Sequence, residues 1–418
     1  DGKTSTRSMA LTEDNVCEYV RTLLPIKGCA LRPEDTLQSL EIHGGNLNYA
    51  FRVVAQADSA RSVFVKQAPD FIKCLGPEAA LSSARIALES AVLCEYNRLA
   101  PAFTPRHLHF DSARAIILME DLAGHVLLRD ELLAGRVHVG DGRALGTFMG
   151  LTHKATWRGG GQLADVDSDA YAARFSNDLL CGITSEYIFR KPYDPQDASN
   201  RSSSGLADVV AALRADSEGV ASAAAELNAA FLGKKQCLIH GDLHSGSVMV
   251  AATAAGSDAE PTDEEYARGR LRCFDPEFAC FGAAAFDVGL ALAAYAFAFH
   301  HHAAAGDPAA LPAIAKSAAA LWGAYEPHLE QVARATGDGD LARATLSEAT
   351  GFMGAELVRR VIGAAHVPDL EGIEDSEARI QAERAVLHLG CEALKGWRNV
   401  STLDALVALI TARGGTES

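Results

Sequence analysis

No stretch of about 20 uncharged apolar residues occurs anywhere in this sequence of 418, so nothing in it reads as a bilayer-spanning helix. The nearest approach, residues 282–305, is alanine-rich but carries Asp287 and the run His300-His301-His302, and it reads as a buried helix. Basic side chains are scarce. With 38 Lys and Arg against 54 Asp and Glu, the formal net charge is −16, which repels polyanions and excludes nucleic acid and anionic membrane surfaces as main partners. No Cys-x-x-Cys pair is present. The nine cysteines are scattered and odd in number, which points to free thiols in a reducing compartment and to a cytoplasmic protein. No internal repeat is visible. What remains, 48% apolar and 22% charged residues, is ordinary globular composition with room for two or three folding units. Asp1 is read as the result of processing or trimming, and residues 1–11 as a tail or disordered segment outside the fold.

The first helical signal is Thr12-Glu13-Asp14 leading into Val16, Tyr19, Val20, Leu23 and Leu24, a hydroxyl cap with acidic residues in the first turn. From Leu37 to Gln67 the pattern changes to short β-branched and aromatic runs, Tyr49–Val54 and Ser62–Lys66, separated by polar turns. These read as an antiparallel sheet, to which Ala115–Met119 adds a strand after a helix over 81–100. The rest is mostly helical, broken by one β island: Cys237–Ile239, Ser247–Val250 and Leu271–Phe274. The acidic, aperiodic segment 251–270 between its last two strands reads as a surface loop. The expected fold is therefore α+β, with a small sheet-plus-helix lobe over 12–122 and a larger helical lobe over 123–418.

The chemistry gathers at His240-Gly241-Asp242-Leu243-His244, a polar loop between two apolar strands, and at Asp275-Pro276-Glu277, where another apolar strand ends in carboxylates. Phosphoryl transfer needs such a division of labour. One carboxylate orients or deprotonates the acceptor hydroxyl, which suits Asp242, and others hold Mg²⁺ on the donor phosphates, which suits Asp275 and Glu277. The blander alternative is that each Asp is a solvated turn residue. A rival chemical reading takes His240, Asp242 and His244 as ligands of a hydrolytic metal, although Gly241 stands where a zinc-peptidase helix carries Glu. Upstream, Gly44-Gly45-Asn46-Leu47-Asn48 before a strand is either a hairpin turn or a loop whose amides cradle phosphates. Lys66 at the end of the next strand has the reach for phosphates, with Glu89 on the following helix as its ion-pair partner; otherwise both are surface residues. The order Gly loop, Lys, Glu, Asp loop and Asp-x-Glu is that of a two-lobed kinase.

With these motifs in place the sequence resembles the methylthioribose kinase family, small-molecule kinases of protein-kinase-like fold. The resemblance runs from about residue 12 onward and is carried by Gly45-Asn46-Leu47-Asn48, Val65-Lys66-Gln67-Ala68, Met119-Glu120-Asp121-Leu122 and Phe175-Ser176-Asn177. Further on it is carried by 240–247, by Asp275-Pro276-Glu277-Phe278-Ala279, by Phe286-Asp287-Val288-Gly289, and by 356–363 with His366-Val367 and Asp369-Leu370. It implies an ATP- and Mg²⁺-dependent enzyme that phosphorylates the 1-hydroxyl of 5-methylthioribose in methionine salvage, as a homodimer. By the same resemblance Gly45, Asn46, Asn48, Lys66 and Glu89 belong to the nucleotide site, and Glu120, Asp121 and Leu122 form a hinge that bonds adenine through its backbone. Asp242 faces the sugar hydroxyl, Arg359 and Arg360 bind the thioribose side, and Asp287 holds the catalytic loop through backbone N–H groups.

Two departures stand out. Gly44 replaces the Asp usual before Gly-Asn-Leu-Asn, and 76–80 lacks the tryptophan the family carries in a lid over the site. A kinase of the same fold acting on an aminoglycoside-like or choline-like alcohol, and a catalytically silent binding module, are the competing readings. Two smaller expectations complete the set. The histidine run is read as solvated or partly stacked, and the two guanidiniums of Arg359 and Arg360, about 100° apart on a helix, are expected to point different ways.

Overall fold

The computed structural model describes residues 10–43, 47–160, 167–252 and 259–412, which form two compact units. The first is Asp1–His125 together with Phe274–Glu277; the second is Val126–Cys273 and Phe278–Ser418. The sequence boundary near 122 placed all later residues in the second lobe, yet the four residues carrying the Asp-Pro-Glu motif group with the first unit.

The first unit is a five-stranded antiparallel sheet, β1 (Leu37–Glu41), β2 (Tyr49–Ala55), β3 (Asp58–Gln67), β4 (His107–Asp111) and β5 (Ile116–Glu120), in the order β1-β2-β3-β5-β4. Period-two alternation decides its two faces. Phe51, Val53, Val63 and Val65 pack with Val16 and Val20 of helix α1 (Glu13–Leu23). Ile117, Met119 and Phe64 pack instead with Ile86 and Leu93 of helix α2 (Arg85–Leu99). Lys66, two residues after Phe64, thereby shares the face that α2 covers, where Glu89 lies.

The second unit is mostly helical: α3 (Val139–Ala155), α4 (Ala284–Ala304), α5 (Leu311–Thr336), α6 (Leu341–Ile362) and α7 (Ser376–Gly396) are its long elements. Helix α4 is buried along nearly its whole length and is apolar on every side, as a central helix must be. Two short antiparallel strand pairs accompany it, Cys237–Ile239 with Cys280–Gly282 and Val248–Ala251 with Leu271–Cys273. No helix among the described residues is long and apolar enough to cross a membrane.

One expectation is corrected here. The segment 251–270 is not simply a loop: Thr262 caps a short helix, Asp263–Ala267, through a reciprocal bond with Glu265, and Glu260 accepts from the N–H groups of Val139 and Gly140 at the start of α3. Of the two readings of the histidine run the stacked one fits: His300 packs on Phe299 and the rings of His301 and His302 meet edge to face, with His300 and His302 buried. His302 bonds Asp307 and the Leu132 carbonyl, and the half-buried His301 bonds the Asp369 carbonyl at 2.7 Å.

Candidate active site

In the first unit the strand, the helix and the returning 274–277 segment bring Lys66, Glu89, Asp275 and Glu277 together. The Lys66 ammonium donates to Glu89 at 2.9 Å, lies 3.4 Å from Glu277 and bonds Asp275 directly. Burial by itself pushes Lys66 down, but the three carboxylates outweigh it and hold the lysine well above its ordinary value. The same crowding acts in reverse on the acids. Burial, then the Asp275 carboxylate beside it, push Glu277 up to about 8, and burial raises Glu89. Asp275 sits at φ 63°, in the left-handed region that Asp tolerates better than most residues, so the tight turn of the motif is built without glycine.

Asn48, also buried, donates to Glu277 at 2.5 Å and accepts from Arg85 at 2.8 Å. Arg85 in turn binds the carbonyls of Leu47, Pro69, Leu81 and Ser82, fixing the end of the loop before β2 to the start of α2. Sequence reasoning missed Arg85; its only signal was a lone basic residue in the first turn of a helix, where the dipole disfavours it. Gly45 and Asn46 lie outside the described residues.

The residues expected to form the hinge, Glu120, Asp121 and Leu122, are in the first unit at and after the end of β5. Asp121 accepts from Arg52 and Ser62, each at 2.5 Å, and Glu120 accepts from the Arg106 N–H at 3.1 Å. The Glu120 N–H donates to the Arg106 carbonyl and the Leu122 carbonyl accepts from His125, so neither of those backbone groups is spare.

In the second unit Asp287 holds the loop after Cys237–Ile239, accepting from the N–H of His240 at 2.7 Å and of Gly241 at 2.9 Å. Gly241 is required there: at φ 78° a side chain is strained, and its Cβ would meet the Phe278 carbonyl oxygen. The loop presents Asp242, whose carboxylate stands 3.5 Å from His244. Burial would raise Asp242, yet His244, Arg359 and Arg360 outweigh it and hold the carboxyl well below the usual range.

The two arginines do not diverge. Arg359 forks onto Glu356 at 2.6 and 3.0 Å, and Arg360 reaches the same carboxylate at 2.8 Å. Positions three and four residues on lie over the same turn, so one buried glutamate gathers both side chains despite the angle between their Cα positions. Burial opposes the charge on Glu356, but the arginines dominate and bring it down to about 2. The role of Glu356 went unrecognised although the i, i+3, i+4 spacing was visible.

Among the described residues, one group of metal-ligating side chains is close enough to share an ion. It is Glu89, Asp275 and Glu277, each offering an oxygen within 4.8 Å of the others. His240 and His244 are outside it, and His244 spends its Nδ1 on the Gly246 N–H at 2.9 Å, which removes the basis of the metallohydrolase reading.

No family model matches the chain. It is 31% identical over 428 residues to the methylthioribose kinase of Yersinia enterocolitica, covering 98% of this chain and 100% of that one. To the methylthioribose kinase of Pectobacterium atrosepticum it is 30% identical over 427 residues, covering 96% and 98%. The chain belongs to the methylthioribose kinase family.

Among solved structures, a glucosamine kinase in complex with glucosamine, ADP and inorganic phosphate superposes with TM-score 0.49 at 17% identity, covering 91% of this chain and 86% of that one. A choline/ethanolamine kinase family protein from Mesorhizobium loti gives 0.39 at 15%, covering 94% and 98%. Neither likeness is close enough to carry an argument about a methylthioribose kinase family member; the sequence relation carries it.

Proposed function

We propose that the protein is an ATP- and Mg²⁺-dependent 5-methylthioribose kinase that transfers the γ-phosphoryl group to the sugar 1-hydroxyl. The observation that carries this is Asp242: a carboxylate on a pinned loop, kept ionised by His244 and by two arginines that are themselves fixed by Glu356. A carboxylate held so low is a weak proton store. Its part is to align the hydroxyl for attack, which suits phosphoryl transfer, where positioning and charge stabilisation dominate. Arg359 and Arg360 bind sugar oxygens and meet the charge that develops on the transferring group.

The donor side belongs to the first unit. Asn48, Lys66 and Glu89, with Gly45 and Asn46, form the nucleotide-phosphate site, and 120–122 the adenine hinge. Asp275 and Glu277 fit Mg²⁺: their oxygens are hard donors, and the crowding of carboxylates that adds to burial in raising Glu277 is what a divalent cation offsets. When bound, that ion shields the donor phosphates. The family relation further supports a cytoplasmic homodimer in methionine salvage, and light scattering on the purified protein reads its oligomeric state directly.

The test is ATP turnover coupled to ADP release, with phosphorus NMR of the product. The expected result is 5-methylthioribose 1-phosphate. No turnover of this sugar, with brisk turnover of choline, an aminoglycoside or another thiosugar, sinks the assignment of acceptor.

A further inference from the structure

Within the second unit a cavity of about 110 Å³ lies beside α4 and residues 366–369. One side is apolar, formed by Leu290, Ala293, Ala294 and Phe297 of α4; the other carries His244, Arg360 and Asp369. It thus shares two residues with the surroundings of Asp242. Its size is a fraction of the roughly 300–1,000 Å³ of drug-sized ligand sites, so it suits one end of a small polyol and no nucleotide.

The anomaly in its wall is Asp369. The residue is 2% exposed, and its Oδ1 has no hydrogen-bond partner among the described residues. His301 takes the Asp369 main-chain carbonyl rather than the carboxylate. Burial pushes the carboxyl above its ordinary value, and its own backbone N–H with the nearby Arg129, His301 and His244 offsets this only in part. A buried acceptor left unmet is a standing cost to the free protein, and it is relieved when a ligand brings a hydroxyl to it.

We propose that Asp369 is a specificity-determining residue for the acceptor: its Oδ1 accepts a hydroxyl of the sugar in this cavity, while the Ala293–Phe297 side of α4 takes the sugar's apolar substituent. The inference rests on the reading of the second unit as the acceptor-binding one. It predicts an enzyme that selects sugars polar at one end and apolar at the other, by size as well as by hydrogen bonding.

The experiment compares wild type, Asp369→Leu, Asp369→Asn and Ala294→Leu, with 5-methylthioribose as the acceptor, for the sugar KM, the ATP KM, kcat and Tm. Asp369→Leu removes the acceptor atom and is expected to raise the sugar KM at least about tenfold, the effect of one lost hydrogen bond, with ATP KM unchanged. Its Tm is expected to stay level or rise, because the unmet oxygen is gone, whereas a purely structural carboxylate gives a fall. Asp369→Asn keeps a carbonyl oxygen and is expected to restore the sugar KM to within about threefold of wild type. Should Asp369→Leu not fold, Ala294→Leu fills the cavity from the apolar side and is expected to raise the sugar KM by a similar factor. A sugar KM within twofold of wild type in either folded leucine variant overturns the proposal, as it does if a water alone occupies the cavity. If wild type does not phosphorylate 5-methylthioribose, the functional reading fails first, visibly and before any variant is made, and the proposal falls with it.

Discussion

Each of the two units buries a cluster of charge, and the two differ in balance: the first has carboxylates in excess, the second pairs two arginines with two carboxylates. In the first, three carboxylates surround one lysine, with Arg85 at the margin, and burial, then the Asp275 carboxylate, lift Glu277 to about 8. In the second, Arg359 and Arg360 are matched by Glu356 and Asp242, and against burial the two arginines bring Glu356 down to about 2. Buried charges survive only when paired, so an imbalance marks what is to be added. The carboxylate-rich cluster suits a cation and the phosphates it accompanies. The cluster with the arginines suits oxygens that gain negative charge. On the proposed function the first cluster serves the donor and the second the acceptor.

The comparison breaks most severely at Asp242. Asp242→Asn keeps the shape but removes the aligned carboxylate, and kcat is expected to fall about 10²–10⁴-fold with nucleotide affinity unchanged. Retention of more than a tenth of wild-type kcat would show that Asp242 is not the acceptor-side carboxylate.

Glu356→Gln sharpens the same cluster by a different readout. The folded pKa of Glu356 lies below its unfolded value, so its ionised form stabilises the protein above about pH 4.5, and this contribution is lost as pH falls toward about 2. Breaking so buried a pair is expected to cost about 3 kcal/mol at pH 7, shrinking toward zero at the acid end. Denaturant titrations across that range check it, and a pH-independent difference contradicts the pairing.

On the donor side Asp275→Ala and Glu277→Ala are each expected to weaken Mg²⁺-nucleotide binding about tenfold, with partial rescue of the milder variant by excess Mg²⁺. Calorimetric titrations at two Mg²⁺ concentrations read this; unchanged affinity in both removes the metal assignment.

The smallest effect is expected at Asn48. Its side chain links Arg85 to Glu277, so Asn48→Ala is expected to raise the ATP KM about three- to tenfold with the sugar KM unchanged. An altered sugar KM would mean that the two clusters are not separate in function.

The sheet of the first unit was legible because short β-branched and aromatic runs, Tyr49–Val54 and Ser62–Lys66, stand between polar turns. The Asp loop and the Asp-x-Glu were legible because polar residues end apolar strands there. The helix at Asp263–Ala267 was not, since its capping box Thr262–Glu265 sits in a stretch without apolar periodicity, and a five-residue helix leaves little pattern to find. Glu356 was in plain view, but a glutamate next to two arginines reads as a surface ion pair until its burial is known.

What the sequence determined by itself was the inventory and its order: which residue types stand at strand ends, which helix is largely apolar, and in what order the Lys, Glu and Asp motifs follow one another. These are local properties, fixed by spacing and side-chain chemistry. Only the tertiary structure decided how the charges meet, because Glu277 is pushed up first by burial and then by Asp275, and is opposed by Lys66, 211 positions away. The convergence of Arg359 and Arg360 on Glu356, and the unmet oxygen of Asp369, likewise follow from burial. Water would have satisfied each of these groups singly on an open chain, and only packing takes it away.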